Sequence, residues 1–392
     1  MAQAQTIDDV ERLHIDIFSS YNRLIRPVRN MTKTLQVHIG LFLSSVDELN
    51  VKDQVLRTKG WLSLNWTDEL LSWNRSEYNG LVSIQVPETK VWLPDFMLLN
   101  QYNRKMRFGS KDTDIIIKHT GEVIWEPILE SSTSCQVNIR FYPFDKQTCT
   151  FEILSWMTKK QFLMAHATQP SINLEYLTPS AEFEMEDSSV EKTLSDDLGG
   201  LLFSLTLRRK TTFYWLTIVL PLIAFPFLCP VSFLIPACSG EKITLSVTVL
   251  LSFLVFTGLI NDSLPKLSNT ISYCVLYTSL QTLSSLLTVV INGIIIYIDA
   301  MPPSSPMPRC LRYFEEAQTE SKSNAPNGEN GRNVRSSACD VKEDKTKYQD
   351  YKNIARRIDR FCFSLGLGFS VTSLFLVVLH RLPKVDVDHH PH

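Results

Sequence analysis

The sequence predicts a two-part protein: an all-β sandwich with a short N-terminal helix, then an all-α domain of four membrane-spanning helices. Between residues 34 and 207, short alternating or β-branched stretches are separated by turn residues, which is typical of a β-sandwich. After residue 207, four apolar runs contain no Asp, Glu, Lys or Arg: 211–240, 243–261, 267–298 and 361–379. Each run is long enough for a transmembrane helix, which needs about 20 residues.

The first element is predicted to be an amphipathic helix over residues 7–26, ended by Pro27. Its apolar positions recur at three- and four-residue spacing: Val10, Leu13, Ile17, Tyr21 and Leu24. The strands of the sandwich are then predicted from short β-type stretches. The clearest are 35–43, 81–86, 114–119, 135–141, 148–154 and 201–207.

Composition excludes several classes of protein. The 392 residues carry a net charge of −2, from 39 Lys and Arg against 41 Asp and Glu. This balance argues against a nucleic-acid binder, which usually has a basic excess. Neither a CxxC nor an HExxH motif occurs, so no metal is expected. No acid–base or nucleophile constellation indicates an enzyme, and no cofactor is expected.

Cysteine usage indicates an exterior N-terminal half. Only Cys135 and Cys149 lie in the first 210 residues, which suits one disulfide in an oxidising compartment, the alternative being two free buried thiols. Four of the other six cysteines lie in or beside the apolar runs, and Cys310 and Cys339 lie in the polar segment between the third and fourth runs; all six are expected to remain unpaired. Three glycosylation sequons agree with this compartment: those at Asn30, Asn65 and Asn74.

The charge pattern predicts the topology. Residues 341–360 carry seven basic side chains beside an apolar run, which marks the cytoplasmic side. The basic stretch 208–210 favours the opposite orientation, but long N-terminal domains are translocated largely regardless of such charges. Both termini are therefore expected outside the cell. The predicted parts are an exterior sandwich (1–207), three spans (208–298), a largely disordered cytoplasmic segment (299–345), an amphipathic helix (346–360), a fourth span (361–380) and an exterior tail (381–392).

One segment points to a family. Residues 135–149 place two cysteines around thirteen residues, with Tyr142-Pro143-Phe144-Asp145 near the centre. With the sandwich and four spans, this resembles the Cys-loop family of pentameric ligand-gated ion channels. Further matching motifs are Trp92-Leu93-Pro94-Asp95, Trp61 with Trp66-Thr67-Asp68-Glu69 and Trp73, Pro221, Ser239-Gly240-Glu241-Lys242, and Pro265.

This resemblance implies a plasma-membrane receptor subunit, with a postsynaptic location as one option. It also implies four further subunits, identical or different, surrounding a pore in the lipid bilayer.

The second apolar run carries the predicted pore face. At 3.6 residues per turn, seven positions fall on one side of a helix: Glu241, Thr244, Thr248, Leu251, Val255, Leu259 and Asp262. In a symmetric ring, the terminal carboxylates attract cations, and the aliphatic rings at Leu251 and Val255 close the pore by dewetting. The alternative is a buried helix whose threonine hydroxyls bond to their own backbone. The order Gly-Glu-Lys resembles that of cation-selective relatives, so monovalent cations are the expected permeant ions.

The resemblance places a ligand site between subunits, as an aromatic box that holds a cation. Trp156 matches the tryptophan of one wall and Trp61 that of the other, with Trp92 in the neighbouring signature. Leu99 stands where nicotinic relatives carry tyrosine, and no aromatic residue lies between Phe183 and Phe203. A small cationic or amphiphilic ligand is therefore expected, and acetylcholine is a poor candidate. The acidic side chains of Glu182, Glu184, Glu186 and Asp187 either attract that cation or belong to a solvated loop.

The resemblance also implies residues that couple the two domains. Glu48, in a turn that faces the membrane, is expected to pair with Arg209, and Pro143, Phe144 and Pro265 complete this layer. Two functions fit: a cation channel opened by a ligand in the cleft, or a regulatory subunit that needs a partner for agonist recognition.

Overall fold

The computed structural model describes residues 6–102, 108–109, 113–192, 197–267, 270–302 and 338–379. Within these ranges the chain forms two compact units. The first carries the N-terminal helix and the strands, and the second carries four long helices. This is the predicted class of fold, a β-sandwich followed by a helical membrane region.

The N-terminal helix α1 (Ile7–Phe18) is shorter than the predicted helix over 7–26. Thr6 precedes it and forms a capping box with Asp9: the Thr6 backbone N–H donates to Asp9 Oδ2 at 3.2 Å, and the Thr6 hydroxyl donates to the same oxygen at 2.7 Å. The apolar pattern continues past Phe18, but Tyr21 serves a different purpose. Its hydroxyl donates to Asp68 Oδ2 at 2.7 Å, a tertiary bond that fixes the chain beyond the helix.

Eleven strands are assigned in the described residues, and they form two sheets. They are β1 (Leu35–Asn50), β2 (Val55–Thr67), β3 (Ser83–Pro87), β4 (Phe96–Leu98), β5 (Asp114–Lys118), β6 (Glu122–Trp125), β7 (Ile128–Ser134), β8 (Lys146–Lys159), β9 (Leu163–Ala167), β10 (Phe183–Lys192) and β11 (Leu198–Arg209). Short 3₁₀ turns lie between some of them, at Arg75–Tyr78 and Glu88–Lys90.

The larger sheet has the order β3-β5-β6-β2-β1-β9, with β7 also paired to β2. Strand β9 runs parallel to β1 at the edge, whereas the other pairs are antiparallel. The smaller sheet has the order β10-β11-β8-β4. Alternate residues of both sheets are buried, as expected of strands with one face on a core.

Cys135 and Cys149 form the predicted disulfide, with Cα atoms 5.0 Å apart. The strand predicted over 135–141 is wrong, because this segment is irregular. The side chain of Gln147 replaces the missing ladder. Its Oε1 accepts from Asn138 N at 2.8 Å, and its Nε2 donates to Asn138 O at 3.0 Å. The alternating side chains of 135–141 therefore suggested a strand, but the segment is a loop that the Gln147 amide holds in place.

The second unit contains four long helices: α2 (Thr212–Leu234), α3 (Glu241–Asp262), α4 (Tyr273–Asp299) and α5 (Ala338–Leu379). A 3₁₀ turn at Ala237–Ser239 precedes α3. Among the described residues, α2, α3 and α4 are long and apolar enough to cross a membrane. The fourth span, over 361–380, stays a prediction; its described part is the C-terminal end of α5.

Helix α5 also begins within the segment that was predicted to be largely disordered, since 338–345 is helical. The helix continues without a break through the predicted amphipathic segment and the last apolar run. The remainder of the predicted disordered segment, 303–337, lies outside the described residues, as does the exterior tail.

Two prolines in α2 leave backbone carbonyls without their usual helical partners, because proline has no N–H to donate four residues back. Pro226 frees the carbonyl of Leu222, which accepts from the Tyr277 hydroxyl of α4 at 3.3 Å. Pro230 frees the carbonyl of Pro226, which accepts from the Ser370 hydroxyl of α5 at 2.9 Å. The freed carbonyls of α2 thus bind it to two neighbouring helices.

Candidate functional site

Helix α3 separates two kinds of side chain on opposite faces. All seven residues of the predicted pore face are exposed in the single chain: Glu241, Thr244, Thr248, Leu251, Val255, Leu259 and Asp262. The opposite face is buried against the rest of the second unit through Lys242, Ser246, Val249, Phe253 and Ile260. The helix therefore exposes a stripe that is acidic at both ends and aliphatic in the middle.

Hydroxyl groups of α3 bond within the helix. Thr248 Oγ1 donates to Thr244 O at 2.7 Å, and Ser252 Oγ donates to Thr248 O at 2.9 Å. This is the backbone bonding that we considered as an alternative use of the threonines. It does not remove the hydroxyl oxygens from the exposed face, since a donating hydroxyl still has lone pairs that accept from water.

The residue after Glu241 anchors the same end of the helix. Lys242 is fully buried, and its ammonium forms an ion pair with Asp359 of α5. It also donates to Ile235 O at 3.3 Å and lies 5.7 Å from the centre of the Phe233 ring. Consecutive acid and base thus point in different directions, Glu241 outward and Lys242 inward.

Trp61 belongs to an aromatic cluster on the outer face of the larger sheet. Its ring stacks on Phe42, directly opposite on β1, with centroids 5.2 Å apart and an angle of 7°. Tyr176, which is 59% exposed, lies against the same indole at 5.4 Å. The strands approach closely here because residue 60 is glycine: a Cβ at Gly60 would lie 2.0 Å from Phe42 O. Phe42 and Tyr176 were not identified from the sequence.

Trp156 lies on β8 of the smaller sheet and is 48% exposed. The segment that carries it is organised by Asp95, the last residue of the Trp92-Leu93-Pro94-Asp95 signature. Asp95 Oδ1 accepts from Ser155 Oγ at 2.7 Å, and Oδ2 accepts from the backbone N–H groups of Met157 and Thr158 at 2.8 and 3.0 Å. The signature aspartate therefore supports the backbone on both sides of Trp156.

The other two residues of the expected box are less exposed than Trp156. Trp92 is half-buried. Its ring meets that of Trp66 edge-on, with centroids 6.1 Å apart, and its backbone N–H donates to the Tyr21 hydroxyl at 3.0 Å. Leu99 is half-buried beside β8, where its N–H donates to Glu152 O at 2.7 Å. The contacts of Trp92 thus join it to Trp66 and Tyr21.

The hairpin of β10 and β11 has few apolar contacts on its outer strand. Phe183 is the buried residue of β10, and Phe203 on β11 is buried as well. Two of the acidic residues have partners: Glu182 binds Arg209, and Glu186 binds Lys146. The acidic run is thus partly neutralised, and the aromatic residues that flank it face the core.

The expected ion pair between Glu48 and Arg209 is wrong. Glu48 instead pairs with Arg57, its neighbour across the β1–β2 ladder, at 3.0 Å and with both side chains exposed. Arg209 is 1% exposed and binds Asp145 through Nε at 2.9 Å, with Glu182 as its second carboxylate partner. Glu48 pairs with Arg57 because the two residues are neighbours across the strands. Arg209 pairs with Asp145 and Glu182 because its buried guanidinium lies between these two carboxylates.

The ring of Phe183 lies 4.7 Å from the Arg209 guanidinium, and that of Tyr142 lies 5.4 Å away. Asp145 and Tyr142 belong to the disulfide loop, so Arg209 joins the loop to the end of β11. Pro143 is buried, Phe144 is half-buried and Phe141 is half-exposed, so the exposed aromatic group of the loop is not the one that the sequence suggested. Pro265 follows α3 and is also buried.

The predicted glycosylation sites differ in setting. Asn30 and Asn74 lie in exposed turns, where each side chain accepts a hydrogen bond from the residue two places on. Asn65 lies within β2 and is half-buried. Of the six further cysteines, Cys229, Cys238, Cys274 and Cys362 are free, as expected. Cys310 and the side chain of Cys339 lie outside the described residues.

Comparisons with known proteins agree with this arrangement. Residues 10–211 match the family model of the neurotransmitter-gated ion-channel ligand binding domain, and residues 218–348 match that of the neurotransmitter-gated ion-channel transmembrane region. The acetylcholine receptor subunit alpha-like 2 of Drosophila melanogaster is 35% identical over 317 residues, which are 77% of this chain and 55% of that protein. The acetylcholine receptor subunit beta-type unc-29 of Caenorhabditis elegans is 34% identical over 308 residues, 78% of this chain and 62% of its own.

The chain belongs to the neurotransmitter-gated ion-channel family, whose members are membrane-embedded receptors and not enzymes. It spans little more than half the length of the curated relatives that it matches. Acetylcholine receptor subunit alpha-L1 of Schistocerca gregaria is a further relative, 34% identical over 76% of this chain and 56% of its own length.

Proposed function

We propose that the chain is one subunit of a cation-selective pentameric channel, opened by an exterior ligand that binds between neighbouring subunits. The observation that carries the proposal is the exposed stripe of α3, with Glu241 and Asp262 at its ends and Leu251 and Val255 between them. Such a stripe needs a polar or aqueous neighbour at its ends, and the centre of a ring of five copies supplies one.

The chemistry of permeation follows from this ring. Five carboxylates at Glu241 create a negative potential that attracts cations and repels anions, and five at Asp262 concentrate cations at the outer mouth. Thr244 and Thr248 offer oxygen atoms to a partly dehydrated ion. The leucine ring at Leu251 excludes water when the helices are close, so that a small rotation or tilt of α3 opens the path.

The ligand is proposed to bind between Trp61 of one subunit and Trp156 of the next. Each indole face attracts a cation by roughly 0.5–2 kcal/mol. The relatives' names include acetylcholine receptor subunits, but here Leu99 and the segment 184–202, which has no aromatic residue, leave the box open on two sides. An amphiphilic cation or a zwitterion that also contacts Phe42 and Tyr176 therefore suits the site better than a small quaternary amine.

The test of cation selectivity is a reversal-potential measurement on channels opened by amines from a panel. The parent channel is expected to follow the sodium gradient and not the chloride gradient. Glu241→Ala should move the reversal potential toward that of chloride, whereas Asp299→Asn, at the end of α4, should leave it unchanged. Equal selectivity in the parent and in Glu241→Ala would contradict the proposed ring.

A regulatory subunit that needs a partner is the second candidate, favoured by the hairpin, whose flanking aromatic residues Phe183 and Phe203 are buried. Expression of this polypeptide alone separates the two. Ligand-evoked current from the single polypeptide supports the first function. Surface-expressed protein that conducts only after a second subunit is supplied supports the other.

A further inference from the structure

Two histidines from distant parts of the sequence meet on the outer face of the larger sheet. His38 on β1 lies directly opposite His166 on the edge strand β9, and their rings are 5.6 Å apart with an angle of 32°. On the other side of His38, Asn65 is its partner on β2. Residues opposite one another in a sheet share a face, so His166, His38 and Asn65 form one lateral row across three strands.

Two atoms of this row lack the partners that buried polar atoms normally have. The Nε2 of His166 and the Oδ1 of Asn65 are buried and make no hydrogen bond within the described part of the chain. Most buried polar atoms are satisfied by protein, water or an ion, so two such atoms in one row require an explanation. Both are electron-pair donors, one an imidazole nitrogen and the other an amide oxygen.

The spacing of the two rings suits a shared metal ion. Zinc binds imidazole nitrogens at about 2.0–2.1 Å, and with a near-tetrahedral angle between them the two ring centres lie roughly 5 Å apart. We propose that His38 and His166 bind a zinc ion, with the Asn65 amide oxygen and water as the remaining ligands. Across the described ranges, no group of three or more His, Cys, Asp or Glu is placed to hold a metal; the proposed site offers two imidazoles and one amide oxygen.

The charge state of His166 agrees with metal binding. Burial lowers the pKa of His166, and the nearby groups of His38 and Lys192 lower it further. The imidazole is therefore neutral at physiological pH, which is the form that binds metals. Lys192 opposes a bound cation by charge repulsion, so Lys192→Gln should strengthen zinc binding.

The test is calorimetric titration of zinc chloride into the full-length protein in detergent. The starting protein carries His389→Ala, His390→Ala and His392→Ala, because these C-terminal histidines could bind metal themselves. It also carries Thr67→Ala, which removes the sequon at Asn65 and keeps the amide. One zinc-binding event is expected in this protein.

His38→Ala and His166→Ala should each weaken zinc binding by about tenfold or more. Loss of an outer-shell partner alone already costs roughly tenfold, and these residues are proposed as direct ligands. His38 is exposed, so its replacement does not disturb the core. The matched control is His14→Ala, because His14 lies 5.6 Å from the ring of Phe18, a neighbour without a ligating nitrogen. It should leave the affinity unchanged.

Asn65→Asp should strengthen zinc binding, since a carboxylate replaces a neutral ligand. With copper(II) as the probe, electron paramagnetic resonance should detect two coupled imidazole nitrogens, and one in His38→Ala. An unchanged zinc isotherm in both His38→Ala and His166→Ala, or no zinc binding by the starting protein, would overturn the proposal.

Discussion

Lys242, in the first turn of α3, forms an ion pair with Asp359, 117 residues further along the chain, and the lysine is fully buried. The pair joins α5 to the end of α3 that carries Glu241. A buried charge without its partner is strongly unfavourable, so this contact holds the two helices together only while both charges are present.

The first prediction concerns this pair. Asp359→Ala should destabilise the protein by about 3–5 kcal/mol, because it leaves the Lys242 ammonium buried and uncompensated. The double variant Lys242→Met with Asp359→Leu should recover most of the loss, since an apolar pair of similar volume removes both charges. Thermal unfolding of the purified protein measures both. An Asp359→Ala midpoint equal to that of the parent would contradict the prediction.

The second prediction contrasts two ion pairs of the first unit. Asp145→Asn removes one of the two carboxylate charges that face the 1% exposed side chain of Arg209, and because Glu182 remains, a loss of about 1.5–3 kcal/mol is expected. Glu48→Gln removes a pair with Arg57 in which both side chains are exposed, and about 0–1 kcal/mol is expected. Denaturation of the two variants side by side gives the comparison. Similar losses of stability in the two variants would contradict the prediction, because the exposed pair of Glu48 would then contribute as much as the buried pair of Arg209.

The third prediction concerns the gate. A ring of hydroxyls holds water in a narrow pore where a ring of leucines expels it, so Leu251→Thr should give spontaneous opening. Leu250→Thr is the control, since Leu250 is adjacent but lies off the exposed face and is half-buried. Resting current in the absence of ligand is the measurement. If Leu251→Thr is as silent as the parent, the constriction lies at Val255 or Leu259.

The fourth prediction concerns pH. Burial raises the pKa of Asp68 from its ordinary value of 3.8 to about 6. Between these two values the folded protein binds more protons at this site than the unfolded chain does, so the contribution of Asp68 to stability falls as the pH rises.

The stability of the parent relative to that of Asp68→Asn should therefore fall as the pH rises from 4 to 6. Asp8→Asn, an exposed carboxylate of α1, serves as the control. Unfolding free energies measured across this range test the prediction, and identical pH profiles for the parent and Asp68→Asn would refute it.

The fifth prediction concerns the proposed ligand site. Tyr176→Ala should lower the sensitivity to the most potent amine of the panel, because it removes an aromatic face next to Trp61 that contributes roughly 0.5–2 kcal/mol. Tyr176→Phe should retain the parent sensitivity, since the ring remains. Half-maximal activating concentrations give the comparison. An effect of Tyr176→Phe as large as that of Tyr176→Ala would assign the contribution to the hydroxyl group and not to the ring.

The parts of the molecule that sequence patterns predicted are those that depend on near neighbours in the chain. The exposed face of α3 follows from a spacing of three and four residues, which any helix converts into a stripe. The two sheets follow from short β-type stretches, and the disulfide from a pair of cysteines isolated in the exterior half.

The contacts that the sequence did not reveal join residues far apart in the chain. The sequence around Arg209 did not indicate that Asp145 and Glu182 would be its partners. Glu48 pairs instead with Arg57, its neighbour across the β1–β2 hairpin. The same is true of His38 and His166, which become neighbours only when β9 adds to the edge of the sheet. Helix α1 ended early for a similar reason, because a tertiary bond to Asp68 fixes Tyr21.

The prolines of α2 have a consequence for the biogenesis of the membrane domain. In lipid, a carbonyl without a donor is unfavourable, and no water is present to replace one. Leu222 O and Pro226 O receive their donors from Tyr277 and Ser370, which are translated later than α2. These two carbonyls of α2 therefore receive their donors only after α4 and then α5 have been made, so α2 matures as part of a bundle and not as an independent span.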